Sequence, residues 1–457
     1  MSPLEALAQV PLPVAASGLG LLGSLGVLGF TLRWSRRSLR HVREERASRA
    51  RRLELERARV EQLERRAASS WAGYRKFQVV RRLAEESAPD VVSFDLSPFR
   101  AEGDDRALPE FLPGQYVQLR LDVPGQANLL SRCYSLSQAY SPGHYRITVA
   151  RVPGASDPLT GATHPPGVAS GYLLDQVRER AVLDVTVPQG DFWLDPARPE
   201  PVVLAGWGIH AAPLLCMFEV VARSTTREAW LFLEVGREED LPGHLIDPLL
   251  ELTATSERRL NVWISHGAWA EESGMGRISG RLPRKLEQPE DVLRQTQPVV
   301  RREGRQALAW IKRVLPERYQ GAAHFYVSGP ALMLREAKHD LAAWRVPDDR
   351  VHFEVFDRES LDAISEVEQG GGECRVTFEA SNKSAAWDPE QRNLLGLAAS
   401  CKVRIASTCK IGKCGECEVT LVSGKVRYTK EPDWKLKPGH CLPCVATPAS
   451  PTLVLGA

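Results

Sequence analysis

Four cysteines near the end of the chain are spaced to hold metal. Four residues separate Cys409 from Cys414, two separate Cys414 from Cys417, and Cys444 follows after an intervening strand region. This C-x4-C-x2-C…C spacing lets four thiolates surround one two-iron, two-sulfide centre, whose chemistry is one-electron transfer. Zinc is the alternative, but zinc sites usually show paired C-x2-C units rather than one run with a distant fourth cysteine. Gly412 and Gly415 suit a tight loop whose amides must approach inorganic sulfide. Cys374, Cys401 and Cys441 fall outside the pattern and read as buried or inert thiols.

The text around these ligands runs from Cys374-Arg-Val-Thr-Phe through Leu394-Leu-Gly-Leu-Ala-Ala to Gly424-Lys-Val and Leu442-Pro-Cys444-Val-Ala. It resembles the β-grasp domain of plant-type [2Fe-2S] ferredoxins along its full length. Upstream, Arg132-Cys-Tyr134-Ser135-Leu-Ser137 resembles the R-x-Y-S motif of the ferredoxin-NADP reductase superfamily. Pro113-Gly-Gln-Tyr116-Val precedes it and Gly167-Val-Ala-Ser170-Gly-Tyr-Leu173 follows, as in those enzymes.

That second resemblance implies a flavin site made by Tyr116, Arg132, Tyr134, Ser135, Gly167 and Ser170. The residue types suit it. An Arg can neutralise a flavin phosphate, a Tyr ring can lie on the isoalloxazine, and a Ser hydroxyl can bond the ring edge. Amides at a helix start can hold phosphates. Taken alone, the four residues of R-x-Y-S could be an ordinary strand. Tyr145-Arg-Ile-Thr-Val and Gln189-Gly-Asp191-Phe192 are similar to the flavin and nucleotide part of flavohaemoglobins, which implies FAD rather than FMN. Nitric oxide chemistry is not carried over, because the globin part of that family has no counterpart in this sequence.

A nicotinamide nucleotide, NADH or NADPH, is the electron donor that the resemblance implies. Family members usually show A-G-G-x-G-I-T-P after the first strand of the nucleotide domain. Here the run is Ala205-Gly206-Trp207-Gly208-Ile209-His210-Ala211-Ala212-Pro213, with one extra residue and Trp207 in place of a glycine. Glycines there let the backbone approach a pyrophosphate, so Gly206 and Gly208 are candidate contacts and Trp207 argues against the usual mode. His210 reads as packed or solvent-facing. Ser328, Gly329 and Pro330 resemble the C-G-P motif near the nicotinamide. Glu354 and Phe356, in His352-Phe-Glu-Val-Phe, are similar to the terminal acid and aromatic beside the flavin.

The elements that must position these residues change character along the chain. Short β-type runs at Phe77 to Leu83, Val91 to Leu96, Tyr116 to Leu121, Tyr145 to Arg151 and Val182 to Val187 predict an antiparallel barrel. From Pro201, the apolar runs Val202 to Leu204, Ala229 to Val235, Asn261 to Ser265 and Ala323 to Val327 alternate with helical stretches such as Pro213 to Arg223 and Leu332 to Trp344. That alternation predicts a parallel α/β sheet. Leu286 to Arg305 lacks a period and reads as a surface insertion, and Glu366 to Glu373 reads as a linker.

The amino-terminal end is different again. The stretch from Ala6 to Arg33 carries no charge before its last residue, and Val14 to Leu32 is long enough to cross a bilayer. Arg33, Arg36, Arg37, Arg40 and Arg43 follow it while Glu5 precedes it, an order opposite to that of a signal peptide. The positive-inside rule then places the body of the protein in the cytoplasm. Residues Ser35 to Ser70, rich in Arg, Glu, Ala and Leu, predict a solvated helical stalk. Leu39, Leu53 and Val60 fall on a seven-residue spacing that allows a homodimeric coiled coil, interrupted by Arg49 and Glu56. A single helix on anionic lipid is the alternative.

Composition bounds the rest. With 457 residues, 43% hydrophobic and 25% charged, the chain suits about three folded domains. A net charge of +2 gives no argument for nucleic acid, and nine cysteines are too few for a disulfide scaffold.

The expected order is a transmembrane anchor (1–34), a stalk (35–73), an FAD barrel (74–199), an NAD(P) α/β domain (200–362), a linker (363–373) and a ferredoxin domain (374–457). The expected activity is a single-pass membrane reductase passing electrons from NAD(P)H through FAD and the cluster to a protein such as an oxygenase or desaturase. A quinone reductase, or an adaptor with a degenerate nucleotide site, is the alternative. From Cys374 onward there are 12 Lys and Arg against 7 Asp and Glu, with Lys402, Arg404, Lys410 and Lys413 beside the cluster loop. This predicts an acceptor with an acidic docking face.

Overall fold

Residues 70–99, 108–156, 163–223, 227–236, 241–256, 259–266, 299–303, 308–364 and 374–457 are described by the computed structural model. All lie within one compact unit, Ser69–Ala457. The expected anchor and nearly all of the expected stalk fall outside the described residues. Among the described residues no helix is long and apolar enough to cross a membrane.

Alternating apolar residues build the first module. Phe77 and Val79 on β1 (Tyr74–Glu85), Val92, Phe94 and Leu96 on β2 (Ala88–Pro98), and Val117, Leu119 and Leu121 on β3 (Tyr116–Leu121) share one core. Tyr145, Ile147 and Val149 on β5 (Tyr145–Ala150) and Leu183 and Val185 on β8 (Val182–Thr186) complete it. Each fully buried large side chain contributes roughly 1.5–3 kcal/mol, so the period-two pattern decides which face turns inward. With β4 (Leu130–Ser135), the antiparallel order is β4-β3-β8-β1-β2-β5. A bridge between Leu136 and Ile147 closes the two ends into a barrel. The short pair β6 (Ala155–Ser156) and β7 (Thr163–His164) and helix α1 (Val168–Asp175) follow β5.

The second module is a parallel sheet. It comprises β9 (Val202–Trp207), β10 (Ala229–Val235), β11 (Leu260–His266), β12 (Val299–Glu303), β13 (His324–Ser328) and β14 (Val351–Glu354), in the order β12-β11-β10-β9-β13-β14. Its inner strands β9, β10 and β13 are buried on both sides because helices cover both. One face packs on α2 (Ala212–Arg223) and α3 (Gly243–Ala254). The other packs on α4 (Leu308–Val314) and, beyond the short α5 (Glu317–Gln320), on α6 (Ala331–Ala343). The chain starts at β9, runs out to β12, then returns to β13, so the strand order reverses between β9 and β13. In such sheets a crevice opens at the carboxyl ends of that pair. One expectation is corrected: Val299–Glu303, read as part of a surface insertion, pairs parallel with β11 as an edge strand.

Polar residues on the outer face of the barrel meet this second module. Ser93 and Thr148 face each other across β2 and β5 at 2.8 Å, and His244 Nε2 lies 2.8 Å from Ser93 Oγ. Glu85 accepts the amides of Gly243 and His244 at 2.8 Å each, capping α3 from the barrel side.

The third module follows α7 (Arg358–Ile364), which overlaps the start of the expected linker; the rest of that linker lies outside the described residues. Strands β15 (Arg375–Phe378), β16 (Lys383–Ala386), β17 (Val419–Ser423), β19 (His440–Cys441) and β21 (Thr452–Leu455) form a mixed sheet in the order β16-β15-β21-β17-β19. A side pair joins β18 (Val426–Tyr428) to β20 (Ala446–Pro448). Helix α8 (Leu394–Ser400), capped by Asn393 Oδ1 on the Gly396 amide at 2.8 Å, lays Leu394, Leu397 and Ala398 on Val376, Phe378, Leu453 and Leu455. This is the expected β-grasp arrangement.

Candidate functional site

The loop between α8 and β17 carries three of the four candidate ligands, and β19 leads to the fourth. Lys410, Gly412 and Gly415 have positive φ, of 57°, 79° and 73°. At Gly415 a side chain is doubly excluded, since an added Cβ would stand 2.2 Å from the Trp434 ring. This tight path points the amides of Lys413 and Cys414 at Cys409 Sγ, at 3.3 Å each. The Cys414 thiol and these amides together hold the Cys409 thiol down to about 6, against the opposing effect of burial.

The thiols stand in two hydrogen-bonded pairs, Cys409 with Cys414 and Cys417 with Cys444. Among the described residues no three His, Cys, Asp or Glu side chains gather around one ion. Two thiolates for each of two irons is the demand of a [2Fe-2S] cluster, so the donor set fits that group better than a single zinc ion. Cys374 and Cys441 are buried, and burial raises both thiols.

On the flavin side, β4 presents Arg132, Cys133, Tyr134 and Ser135 in succession. Arg132 is exposed, Tyr134 half-buried and Ser135 buried, and burial pushes the Tyr134 phenol well up. Tyr116 pairs with Ser135 across β3 and β4, and with Gln189 on its other side. An added Cβ at Gly190 would lie 2.8 Å from the Tyr116 ring, which explains the glycine in Gln189-Gly-Asp191. Gly167 and Ser170 open α1. Ser170 Oγ donates to Gly167 O at 3.0 Å and accepts from the Val152 amide at 3.2 Å, so its hydroxyl also serves the turn itself. Continuing the antiparallel register from Leu136 and Ile147 sets Arg132 opposite Arg151, one residue before Val152, whose amide and carbonyl bond Ser170 and Gly167 at the start of α1. An exposed guanidinium near helix-start amides fits a flavin phosphate.

On the nucleotide side, Gly206, Ser328 and Glu354 are neighbours on β9, β13 and β14. Gly208, with φ of 54°, turns the chain through a 3-10 segment, Gly208–Ala211, into α2. Trp207 does not stand at the mouth of this turn. Its indole is buried against Gly329, where an added Cβ would meet it at 2.7 Å, and Nε1 donates to Glu234 Oε2 at 3.0 Å. Gly206 is likewise filled by Ala211, at 2.6 Å from an added Cβ. These glycines therefore have packing roles of their own. Ser328 Oγ donates to His210 O, Pro330 caps α6, and His210 packs at 4.9 Å on the Phe356 ring, with burial lowering its pKa.

One sequence expectation fails at the cluster loop. Lys402, Arg404 and Lys410 are exposed, but Lys413 is only 4% exposed and belongs to no docking face. Its Nζ lies 2.5 Å from Glu354 Oε1, 4.9 Å from the Tyr116 ring centre and 5.7 Å from that of Phe356. Tyr116 Oη donates to Lys413 O at 3.1 Å. Burial opposes the charge on Lys413, but Glu354 and Asp433 more than offset it and keep the ammonium protonated. Burial pushes the Glu354 carboxyl up to about 7 against the pull of that ammonium. In the charged form each buried partner keeps a charge-assisted hydrogen bond to the other. Nearby, Lys430 bridges Asp433 at 2.5 Å and Asp191 at 3.5 Å.

The expected flavin residues Tyr116, Glu354 and Phe356 thus meet at the cluster loop. A lysine between two ligands gave no sign in the sequence that it would turn inward.

Residues 376–449 match the family of 2Fe-2S iron-sulfur cluster binding domains. The chain is 29% identical over 304 residues to a flavohemoprotein of Halalkalibacterium halodurans, spanning 66% of this chain and 64% of that protein. It is 32% identical over 290 residues to the flavohemoprotein of Bordetella pertussis, spanning 63% and 61%. The chain thus spans less than two thirds of the length of these curated relatives. Among solved structures, phthalate dioxygenase reductase, described as a modular structure for electron transfer from pyridine nucleotides to [2Fe-2S], aligns with 84% of this chain and 98% of its own. Its sequence identity is 23% and its TM-score 0.44.

Proposed function

We propose that this chain, which joins a flavohemoprotein-like FAD and nicotinamide module to a 2Fe-2S cluster binding domain, is an NAD(P)H-dependent reductase for a protein electron acceptor. Bound here, FAD would supply two-electron chemistry with the nicotinamide and a [2Fe-2S] cluster one-electron transfer. The protein's part is to hold and orient. Arg132 and the start of α1 would hold the flavin phosphates, Tyr134 and Ser135 would meet the ring, and Glu354 and Phe356 would border it. Cys409, Cys414, Cys417 and Cys444 would hold the cluster. The single observation that carries this reading is the contact of the cluster loop with Tyr116, Glu354 and Phe356.

Anaerobic mixing of the purified protein with NADH and, separately, NADPH tests it. Flavin bleaching within the mixing time supports the reductase, and faster bleaching by NADH supports the preference suggested by His266 after Ser265, where NADP-using relatives often carry an Arg. No bleaching with either nucleotide would support an adaptor fed by another protein instead.

The finer reading places the enzyme at a membrane through residues 1–34, with its catalytic part in the cytoplasm and a homodimer through the stalk. Removing residues 1–34 should leave dye reduction intact and abolish partition into membranes; a truncation that still sediments with membranes contradicts the tether. The acceptor is a protein such as an oxygenase or desaturase with an acidic face, since Lys402, Arg404 and Lys410 remain exposed beside the cluster loop. Transfer should slow as ionic strength rises from about 0.01 to about 0.15 M, where the screening length falls from about 30 to about 8 Å. A rate indifferent to salt would contradict the docking face.

A further inference from the structure

We propose that Lys413 is the positioning residue that seats the cluster loop against the flavin side of the reductase module. The proposal rests on the reading of one chain holding both flavin and cluster. Three separate contacts of this residue meet there. Its amide donates to Cys409 Sγ at 3.3 Å, its carbonyl accepts from Tyr116 Oη at 3.1 Å, and its Nζ pairs with Glu354 at 2.5 Å. The ammonium also lies over the rings of Tyr116 and Phe356. A candidate cluster ligand, the barrel and the end of β14 are therefore tied through a single residue.

A buried ion pair is a poor source of net stability, because both charges give up water to make it. It is a good source of register. If the ferredoxin domain slipped by one residue along this surface, Lys413 and Glu354, at 5% and 2% side-chain exposure, would both be left buried and unpaired. The aromatic rings add a cation–π attraction that a neutral residue at this position lacks. Lys430, between Asp433 of the ferredoxin domain and Asp191 of the barrel, makes a second tie that resists rotation about the first. An apolar residue at 413 would allow several dockings, whereas the lysine selects one.

Hydrogen exchange of the cofactor-loaded full chain tests the latch without any nucleotide. In Lys413→Met, amides of residues 409–417 and 351–357 should exchange about tenfold faster than in the wild type, as local opening becomes easier. By stopped flow, cluster reduction should slow by about ten- to a hundredfold, the scale of a one-ångström misplacement, while flavin reduction by nucleotide stays within about twofold. Lys413→Arg, which keeps the charge, should recover most of the protection and of the rate. Wild-type exchange and wild-type cluster reduction in Lys413→Met would overturn the proposal. Should that variant lose its cluster, Lys413→Gln replaces it: protection in the order Lys, Arg, Gln supports the latch, and equal protection in all three overturns it. If the wild type is not reduced by either nucleotide, the reductase reading fails, and the exchange arm still judges the latch.

Discussion

Trp434 lies over Gly415 in the cluster loop, and Trp207 lies over Gly329 at the carboxyl end of the parallel sheet. Each indole donates to a glutamate, Trp434 to Glu418 at 3.3 Å and Trp207 to Glu234 at 3.0 Å. The glycines differ. Gly415 has φ of 73° and would bring a Cβ within 2.2 Å of the ring, whereas Gly329 has no positive φ and is held only by contact at 2.7 Å. The cluster loop is thus specified by its backbone path, which has to direct amides at sulfur. The nucleotide end is specified by side-chain packing, and packing tolerates exchange of parts. That difference accords with a sequence whose four-cysteine spacing matches the ferredoxin pattern while the glycine run beside β9 departs from the one it resembles.

Substitutions can break this contrast. The largest effect on stability is expected from Trp207→Ala, which empties a site 3% exposed and removes one hydrogen bond to the buried Glu234. A loss of about 3–5 kcal/mol should appear in denaturant unfolding, and a loss below about 1 kcal/mol would mean the indole is not packed as described. Gly415→Ala comes next, combining about 1–2 kcal/mol for a left-handed residue with about 1–3 kcal/mol for the clash. Its visible cluster absorbance should be lost or strongly reduced while flavin content stays at the wild-type level. Gly329→Ala meets only the clash and should cost about 1–3 kcal/mol without touching the cluster. If Gly329→Ala instead depleted the cluster while Gly415→Ala kept it, the contrast drawn here would be reversed.

Much of this architecture was legible from residue patterns. Alternation at Phe77 and Val79 or at Tyr145, Ile147 and Val149 marks one wet and one dry face, so the barrel strands could be placed. The expected strands at Tyr116 and Ala229 coincide with β3 and β10. Strand β4 was read first as a motif, with an ordinary strand as the alternative, because its residues do not alternate cleanly in burial. Strand β12 was missed for the opposite reason: Val299-Val300-Arg301-Arg302-Glu303 is a short edge strand with charges over most of its length. The candidate cluster ligands could be picked out because coordination of two irons by four thiolates constrains their spacing. The direction of the Trp207 indole and the burial of Lys413 were not, since both depend on partners, Gly329 and Glu354, that lie far away in sequence and arrive only with the fold.

In the proposed reductase, electrons enter through the flavin and leave through a cluster held by Cys409, Cys414, Cys417 and Cys444. Anaerobic reduction of Cys414→Ser with NADH or NADPH, followed by flavin absorbance and low-temperature electron paramagnetic resonance, tests this route. Flavin bleaching at the wild-type rate is expected, with no reduced [2Fe-2S] signal and no transfer to a one-electron protein acceptor. A surviving [2Fe-2S] signal, or undiminished transfer to that acceptor, would contradict it.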